Sequence, residues 1–190
     1  MNKTRLEAFS DGVIAILITI MILELKIPEG NDWSALRPMF AHVLWYVLSF
    51  VYLGIYWANH HHMLHAADRV NGAILWANLH LLFWLSLIPV GTAWIGSSHL
   101  APLPTAIYGG IMFCAAIAYT ILQNCIVAHH GPDSQLARAI GSDFKGRLSL
   151  AGYAAAIGLA FVMSSLSAAI YVGVALVWLV PDSRIERGVT

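Results

Sequence analysis

Long apolar blocks separated by short polar breaks organise this chain. A helix that crosses the ~30 Å hydrocarbon layer of a bilayer needs about 20 mostly apolar residues. Blocks of that length run from about residue 6 to 27, 37 to 60, 72 to 95 and 102 to 128. A last apolar stretch, from about 147 to 180, divides at Ser164-Ser165-Leu166-Ser167 into halves of about 16 residues. The pattern predicts an all-α, polytopic membrane protein with six transmembrane helices in one domain over residues 1–190. The two short halves also fit a re-entrant hairpin. No internal repeat or extramembrane domain interrupts the pattern.

Composition narrows the solvent and the partners. Of the 190 residues 59% are apolar and 11% are charged, against about 25% charged in a soluble domain. Ten basic residues balance ten acidic ones, so no long-range field draws nucleic acid, and the lipid bilayer is the expected partner. Lys3 and Arg5 before the apolar run Gly12 to Leu23 suggest a signal peptide. Glu7 and Asp11 interrupt the basic region, however, and no small-x-small site precedes Glu24, Lys26 and Pro28, so the segment is read as retained. Cys114 and Cys125 stand eleven residues apart within one apolar block and share a helix face, which marks packing residues rather than a disulfide.

Basic residues alternate between the loops. Lys3, Arg5, Arg69, Arg138, Lys145, Arg147, Arg184 and Arg187 fall on one side, while the other has only Lys26 and Arg37 beside Glu29 and Asp32. Lysine and arginine mark the cytoplasmic side, so both termini are expected there. Trp33, Trp57, Trp94 and Trp178 near span ends suit the interfacial belt. Gly109, Gly110, Gly152, Ala156 and Gly158 on the late helices suit close helix approach.

The first span carries the most unusual polar residues. At about 100° per residue, Gly12, Ile16, Thr19, Leu23 and Ile27 form one stripe, with Phe9 and Ile20 on its margin, while Ser10 and Asp11 point elsewhere. Such a stripe on a membrane helix usually faces lipid or a neighbouring helix. Arg5 and Asp11 lie six residues apart, about 120° around the helix, so they cannot pair along one face. Either Arg5 snorkels to the interface and Asp11 caps or orients the helix start, or both need partners on other helices or in other subunits.

The run Arg5-Leu6-Glu7-Ala8-Phe9-Ser10-Asp11-Gly12, continuing apolar to Thr19, resembles the R-x-x-x-F-S-D signature of the transmembrane-protein-175 family of potassium channels. The likeness extends through Trp57-Ala58-Asn59-His60-His61, Asn78, Pro89 and Trp178-Leu179-Val180-Pro181-Asp182. Animal members join two six-helix repeats, whereas the single set here is similar to the prokaryotic type and implies the plasma membrane. The resemblance implies a homotetramer whose pore is lined by the first helix of each of four subunits. By position, Ile16 matches the narrowest constriction, Thr19 the layer beyond it, and Ile20 and Leu23 further pore-facing sites. Arg5, Phe9, Ser10 and Asp11 match a structural network, with Trp57, His60, His61 and Asn78 as candidate partners. The implied ligand is permeant potassium, with no resident cofactor. A ring of isoleucines offers no ligand to that ion and would gate by narrowing and expelling water. The T-V-G-Y-G filter is absent, and Thr19 hydroxyls are the nearest oxygens.

Nine histidines raise other chemistries. His61 and His65, one turn apart, invite a zinc ion, but His-Glu-x-x-His is missing, Asp68 is the only nearby acid, and no metal site is expected. The cluster of His60, His61, His62 and His65 would titrate near neutral pH and could bias the surroundings of Asp11. His42 and His80 permit a b-type haem protein as an alternative. A small carrier is another, although the paired broken helices or inverted repeat it would want are not evident. No nucleophile, base and oxyanion set supports an enzyme.

Overall fold

The computed structural model describes residues 2–25, 27–28, 30, 32–37, 39–67, 69–131, 134–140 and 143–179. Lys26, Glu29, Asp68, Arg184 and Arg187, and Val180-Pro181-Asp182 of the closing motif, lie outside the described residues. Among the described residues every regular element is helical. The first helix, α1 (Lys3–Met21), is capped by Asn2, whose side chain accepts from the Thr4 N–H, and it tightens into a 3-10 turn over Ile22–Glu24. There follow α2 (Met39–His65), α3 (Gly72–Ser86), α4 (Ile88–Ser97) and α5 (Pro102–His130). A short α6 (Gln135–Ile140) leads to α7 (Phe144–Leu159) and α8 (Ser164–Leu179).

Two breaks differ from the pattern read in the sequence. The span expected over about 72 to 95 is two helices, because Pro89 lacks an N–H and its ring would clash with the carbonyl four residues back. The chain turns at Leu87, whose N–H bonds to the Trp84 carbonyl instead. Ser164 to Ser167, expected to divide the last stretch, form the first turn of α8, and the break lies just before them. Ser164 Oγ donates to the Ala160 carbonyl and Ser167 Oγ to that of Ala156, which also accepts the Ala160 N–H, so the serines tie the start of α8 to the end of α7.

Helix α5 is the central post, packed against α3, α4, α7 and α8, while α1 packs chiefly on α2, α3 and α4. The interior at α5 is aromatic, with Tyr108 edge-on to Trp45 at 5.3 Å between ring centroids. Each buried hydroxyl there has a partner, as a low dielectric demands. Ser49 Oγ stands between Thr92 Oγ1 at 2.7 Å and Tyr108 Oη at 3.0 Å, joining α2, α4 and α5. The Tyr171 hydroxyl donates to the Thr105 carbonyl at 3.0 Å, joining α8 to α5. Of the small residues on the late helices, Gly109, Gly152 and Ala156 sit in the α5, α7 and α8 contacts, whereas Gly110 and Gly158 have open space where a side chain would stand.

Among the described residues four segments are long and apolar enough to cross a membrane: Lys3–Glu24, Met39–His65, Gly72–Ser97 and Pro102–His130. Helices α7 and α8 have 16 residues each, about 24 Å at the helical rise and short of a full hydrocarbon layer. Several loops meet at one end of the bundle. Lys3 Nζ donates to the His65 carbonyl at 3.0 Å. The Arg69 N–H donates to His130 Nε2 at 3.3 Å, and the Asn71 amide meets His129 Nδ1 at 3.2 Å. The start of α1, the ends of α2 and α5 and the start of α3 therefore share one level, and that level carries Lys3 and Arg69.

Candidate functional site

Helix α1 has two unlike faces. Leu6, Ser10, Ile14, Leu17 and Met21 recur at three- and four-residue steps and are buried against the bundle. The opposite face holds Phe9, Ile16 (59% exposed), Ile20 (41%) and Leu23 (79%), together with exposed Arg5, Gly12 and Thr19. Among the described residues no element covers this apolar face. Its length needs one correction. The stripe drawn at helical period ran on to Ile27, but the helix ends at Met21, Leu23 belongs to the 3-10 turn, and Ile27 lies beyond it, 90% exposed. Thr19 Oγ1 donates to the Ile16 carbonyl at 2.9 Å. Its proton is thereby used inside the helix, and its oxygen keeps its acceptor capacity.

The buried face is anchored by a directional relay. The Asn78 amide donates to Ser10 Oγ at 2.9 Å, which makes Asn78 Oδ1 the acceptor on its other side. His60 Nε2 lies 2.6 Å from that oxygen, so the bond requires the proton to sit on Nε2. Ser10 Oγ passes its own proton to the Leu6 carbonyl at 2.9 Å. One chain of donors thus runs from α2 through α3 to the backbone of α1, and Ser10, His60 and Asn78 are all buried.

Beside it, Trp57 Nε1 donates to Asp11 Oδ1 at 3.0 Å. Trp57 stacks on His61 (6.3 Å between centroids), and His61 on His65 (6.1 Å). The signature residues therefore divide. Ser10, Asp11, Trp57, His60 and Asn78 are bonded across helices, and His61 touches them only through the Trp57 ring. Phe9 and Arg5 turn to the outer face, and among the described residues the Arg5 side chain has no hydrogen bond or ion pair. Asp11 does not cap the helix start, since Asn2 does. Among the described residues the one ion pair is Lys3 with Glu7 at 3.8 Å.

Elsewhere, the described residues place no three His, Cys, Asp or Glu side chains where they could hold a metal ion. His80 Nε2 accepts from Trp84 Nε1 one turn along at 3.0 Å, and His42 lies against Gly96 where α2 meets α4. Sequence reasoning missed the Ser49, Thr92 and Tyr108 junction. Its signal was available, because a hydroxyl inside an apolar block has to find a partner. It also missed a cleft between α2, α5, α7 and α8 with Asp143 at its rim. Asp143 accepts from the Gly146 N–H at 3.2 Å, and burial pushes its carboxyl above the usual range.

The family model described as endosomal/lysosomal potassium channel TMEM175 matches residues 5–89, the stretch that contains Arg5, the donor relay and the Asp11–Trp57 pair. A protein of Chryseobacterium sp. (strain P1-3) named a potassium channel is 54% identical, over 98% of this chain and 97% of its own length. A potassium channel of Streptomyces collinus is 35% identical over 89% of this chain and 88% of its own. The solved structure of a lysosomal potassium-selective channel TMEM175 homolog from Chamaesiphon minutus is 28% identical. It matches with a TM-score of 0.84 over 95% of this chain and 97% of that one.

Proposed function

The chain belongs to the TMEM175 family of potassium channels, and from that premise we propose that it is a potassium-conducting membrane channel whose pore is lined by α1 of four identical subunits. The observation that carries this is the division of α1 into a face bonded to α2 and α3 and an apolar face with Ile16, Thr19, Ile20 and Leu23 that nothing among the described residues covers. A single helix cannot enclose an aqueous path, whereas four copies of α1 around an axis can.

Ile16 is then the constriction. A ring of four apolar side chains closes the path by excluding water, which leaves a permeating ion without ligands. Thr19 supplies the next layer, and its hydroxyl proton is already committed to the Ile16 carbonyl, so its oxygen can face a cation. Ile20 and Leu23 continue the lining. The relay of Ser10, Asn78 and His60 and the bond from Trp57 to Asp11 hold each α1 in rotation, with His61 packed behind Trp57. Arg5 and Phe9 project from the outer face, where a neighbouring subunit would meet them. In this arrangement α7 and α8 complete six membrane helices in a single domain. The end carrying Lys3 and Arg69 faces the cytoplasm of a prokaryotic plasma membrane, and the channel needs no cofactor beyond its permeant ion.

Planar-bilayer recording of the purified protein under opposed potassium and sodium gradients tests the proposal. The expected result is discrete single-channel steps with a reversal potential displaced toward potassium. Saturable flux without steps would support a carrier instead, and a visible absorption band of bound haem would support a redox protein.

A further inference from the structure

Away from α1, the cleft between α2, α5, α7 and α8 has no part in conduction through the proposed pore. Tyr56, Tyr119, Tyr153 and Trp178 line it, with Asn59 and Asp143 toward its mouth. About 40 Å³ of it is open to the centre of a water molecule, several times the roughly 10–15 Å³ that one water needs. Tyr56 and Tyr119 meet edge to face at 6.1 Å between centroids, so their rings turn in different directions around the space. Lys145, which is not among the residues that line the cleft, places its Nζ 5.9 Å from the centroid of the Trp178 ring.

Asp143 supplies the charge. Its backbone stands at φ 42, in the left-handed region, and its side chain caps the start of α7. Its carboxylate accepts a backbone N–H from Gly146, and among the described residues no cation stands within ion-pair distance of it. Among the described residues Arg147, on the first turn of the same helix, is the cation whose charge acts on it, against the effect of burial. A partly buried carboxylate without a paired cation, beside aromatic walls, favours an incoming positive charge that is cheap to desolvate. A bare potassium ion is not that, since it needs a shell of oxygens that walls made chiefly of aromatic carbon do not provide. A methylated ammonium ion spreads its charge over apolar methyl groups and is held by ring faces.

We propose that this cleft is a binding site for a small methylated ammonium ion, held by the rings of Tyr56, Tyr119, Tyr153 and Trp178 and by the Asp143 carboxylate. The site is independent of the pore and does not rest on the assignment of α1.

Calorimetric titration of the full-length protein in detergent tests it. Choline chloride is compared, at matched ionic strength in potassium chloride, with 3,3-dimethylbutan-1-ol, the uncharged molecule of the same shape. Choline is expected to bind about tenfold or more tightly than the alcohol, the range that desolvated ring faces and one counter-charge supply. Asp143→Asn should remove most of that preference, because asparagine keeps both the cap and the tolerance for positive φ while losing the charge. Tyr119→Leu should weaken choline more than the alcohol. Equal affinity for the two molecules, or a preference that survives Asp143→Asn, would overturn the site. Choline binding lost in Ile16→Asn but kept in Asp143→Asn would place the ion in the pore and overturn it equally.

Discussion

Trp57 on α2 donates its indole N–H to the Asp11 carboxylate on α1 across 3.0 Å, one residue along from the point where Asn78 of α3 holds Ser10. Adjacent residues on a helix diverge by about 100°, so these two bonds grip α1 from two directions. The helix cannot roll about its axis without breaking one of them. In the proposed pore, a roll of α1 would carry Ile16 away from the axis, so there the polar residues would set where the apolar ones point.

Removing the outer grip should loosen α1 without unfolding the subunit. Trp57→Phe keeps a ring for His61 to stack on and deletes only the donor. A hydrogen bond to a charged group contributes about 1.5–3 kcal/mol, and this partly exposed one belongs at the lower end. Melting in detergent should fall by a few degrees, and Asp11→Ala should fall at least as far and also shift the subunit assembly toward smaller species on size-exclusion chromatography. Unaltered melting and assembly in both variants would show that the bond does not hold α1.

The inner grip should matter more. Asn78→Leu leaves the His60 Nε2–H buried without a partner and takes from Ser10 Oγ the donor it accepts from, while the Ser10 bond to the Leu6 carbonyl stays. An orphaned group of this kind costs about 1–3 kcal/mol. Thermal unfolding should show a larger loss than in Trp57→Phe. Because the residues act as one relay, His60→Leu added to Asn78→Leu should cost much less than the sum of the single changes. Additive losses would mean that the relay is not a unit.

Much of this was legible in the chain and some was not, for physical reasons. Apolar blocks locate helices because lipid demands internally bonded backbone, and α1, α2 and α5 lie close to where the blocks place them. The break at Leu87 follows from Pro89, which was visible in the sequence but needed weighing inside an otherwise continuous block. Ser164 to Ser167 misled for the opposite reason. Serines suggest a loop until their hydroxyls find carbonyls of the preceding helix, and that contact is tertiary. The extension of the α1 stripe to Ile27 failed because nothing in its period marks where α1 ends. Ser10, Asp11, Trp57, His60 and Asn78 were named as a set, yet their pairing depends on the relative rotation of three helices, which no single period contains.

Close packing of α5 and α8 gives a sharper test than any polar group. A β-carbon added at Gly109 would overlap the Tyr171 ring and hydroxyl and crowd Ile157. That hydroxyl donates to the Thr105 carbonyl on α5. Gly109→Ala must therefore push Tyr171 out of a buried bond, at a cost of about 1–3 kcal/mol for overpacking and as much again for the lost partner. Gly110→Ala, one residue away with open space around it, should be close to neutral or slightly stabilising because alanine favours helix. Similar melting temperatures for the two variants would contradict the packing described.

Asp143 should leave a mark on the pH dependence of stability. Burial raises its folded-state pKa above the ordinary carboxylate value, so the folded protein binds a proton that the unfolded chain has released. Stability from this group is full below the unfolded pKa and is lost as pH rises through the folded one. The window opens in the ordinary carboxylate range and closes above it. Melting measured from about pH 4 to about pH 7 should fall more steeply in the native chain than in Asp143→Asn, which cannot titrate. Parallel profiles would rule out the linkage.

The two faces of α1 can be separated by placing one substitution on each. Ile14 is fully buried and Ile16 is 59% exposed, although they stand only two positions apart. Asparagine at Ile14 would bring an amide with no partner into packed apolar surroundings and leave a smaller side chain where isoleucine filled the space, at a cost of several kcal/mol, on the order of 3–5. Folded protein should drop sharply. Asparagine at Ile16 meets no packed neighbour among the described residues, so folding and assembly should survive. In a ring of four it would place polar amides at the narrowest point, wet the constriction and remove the main barrier to ions. Potassium flux into reconstituted vesicles should rise and its preference over sodium should fall. A variant Ile16→Asn that assembles normally and conducts at the native level with native preference would overturn Ile16 as the proposed gate.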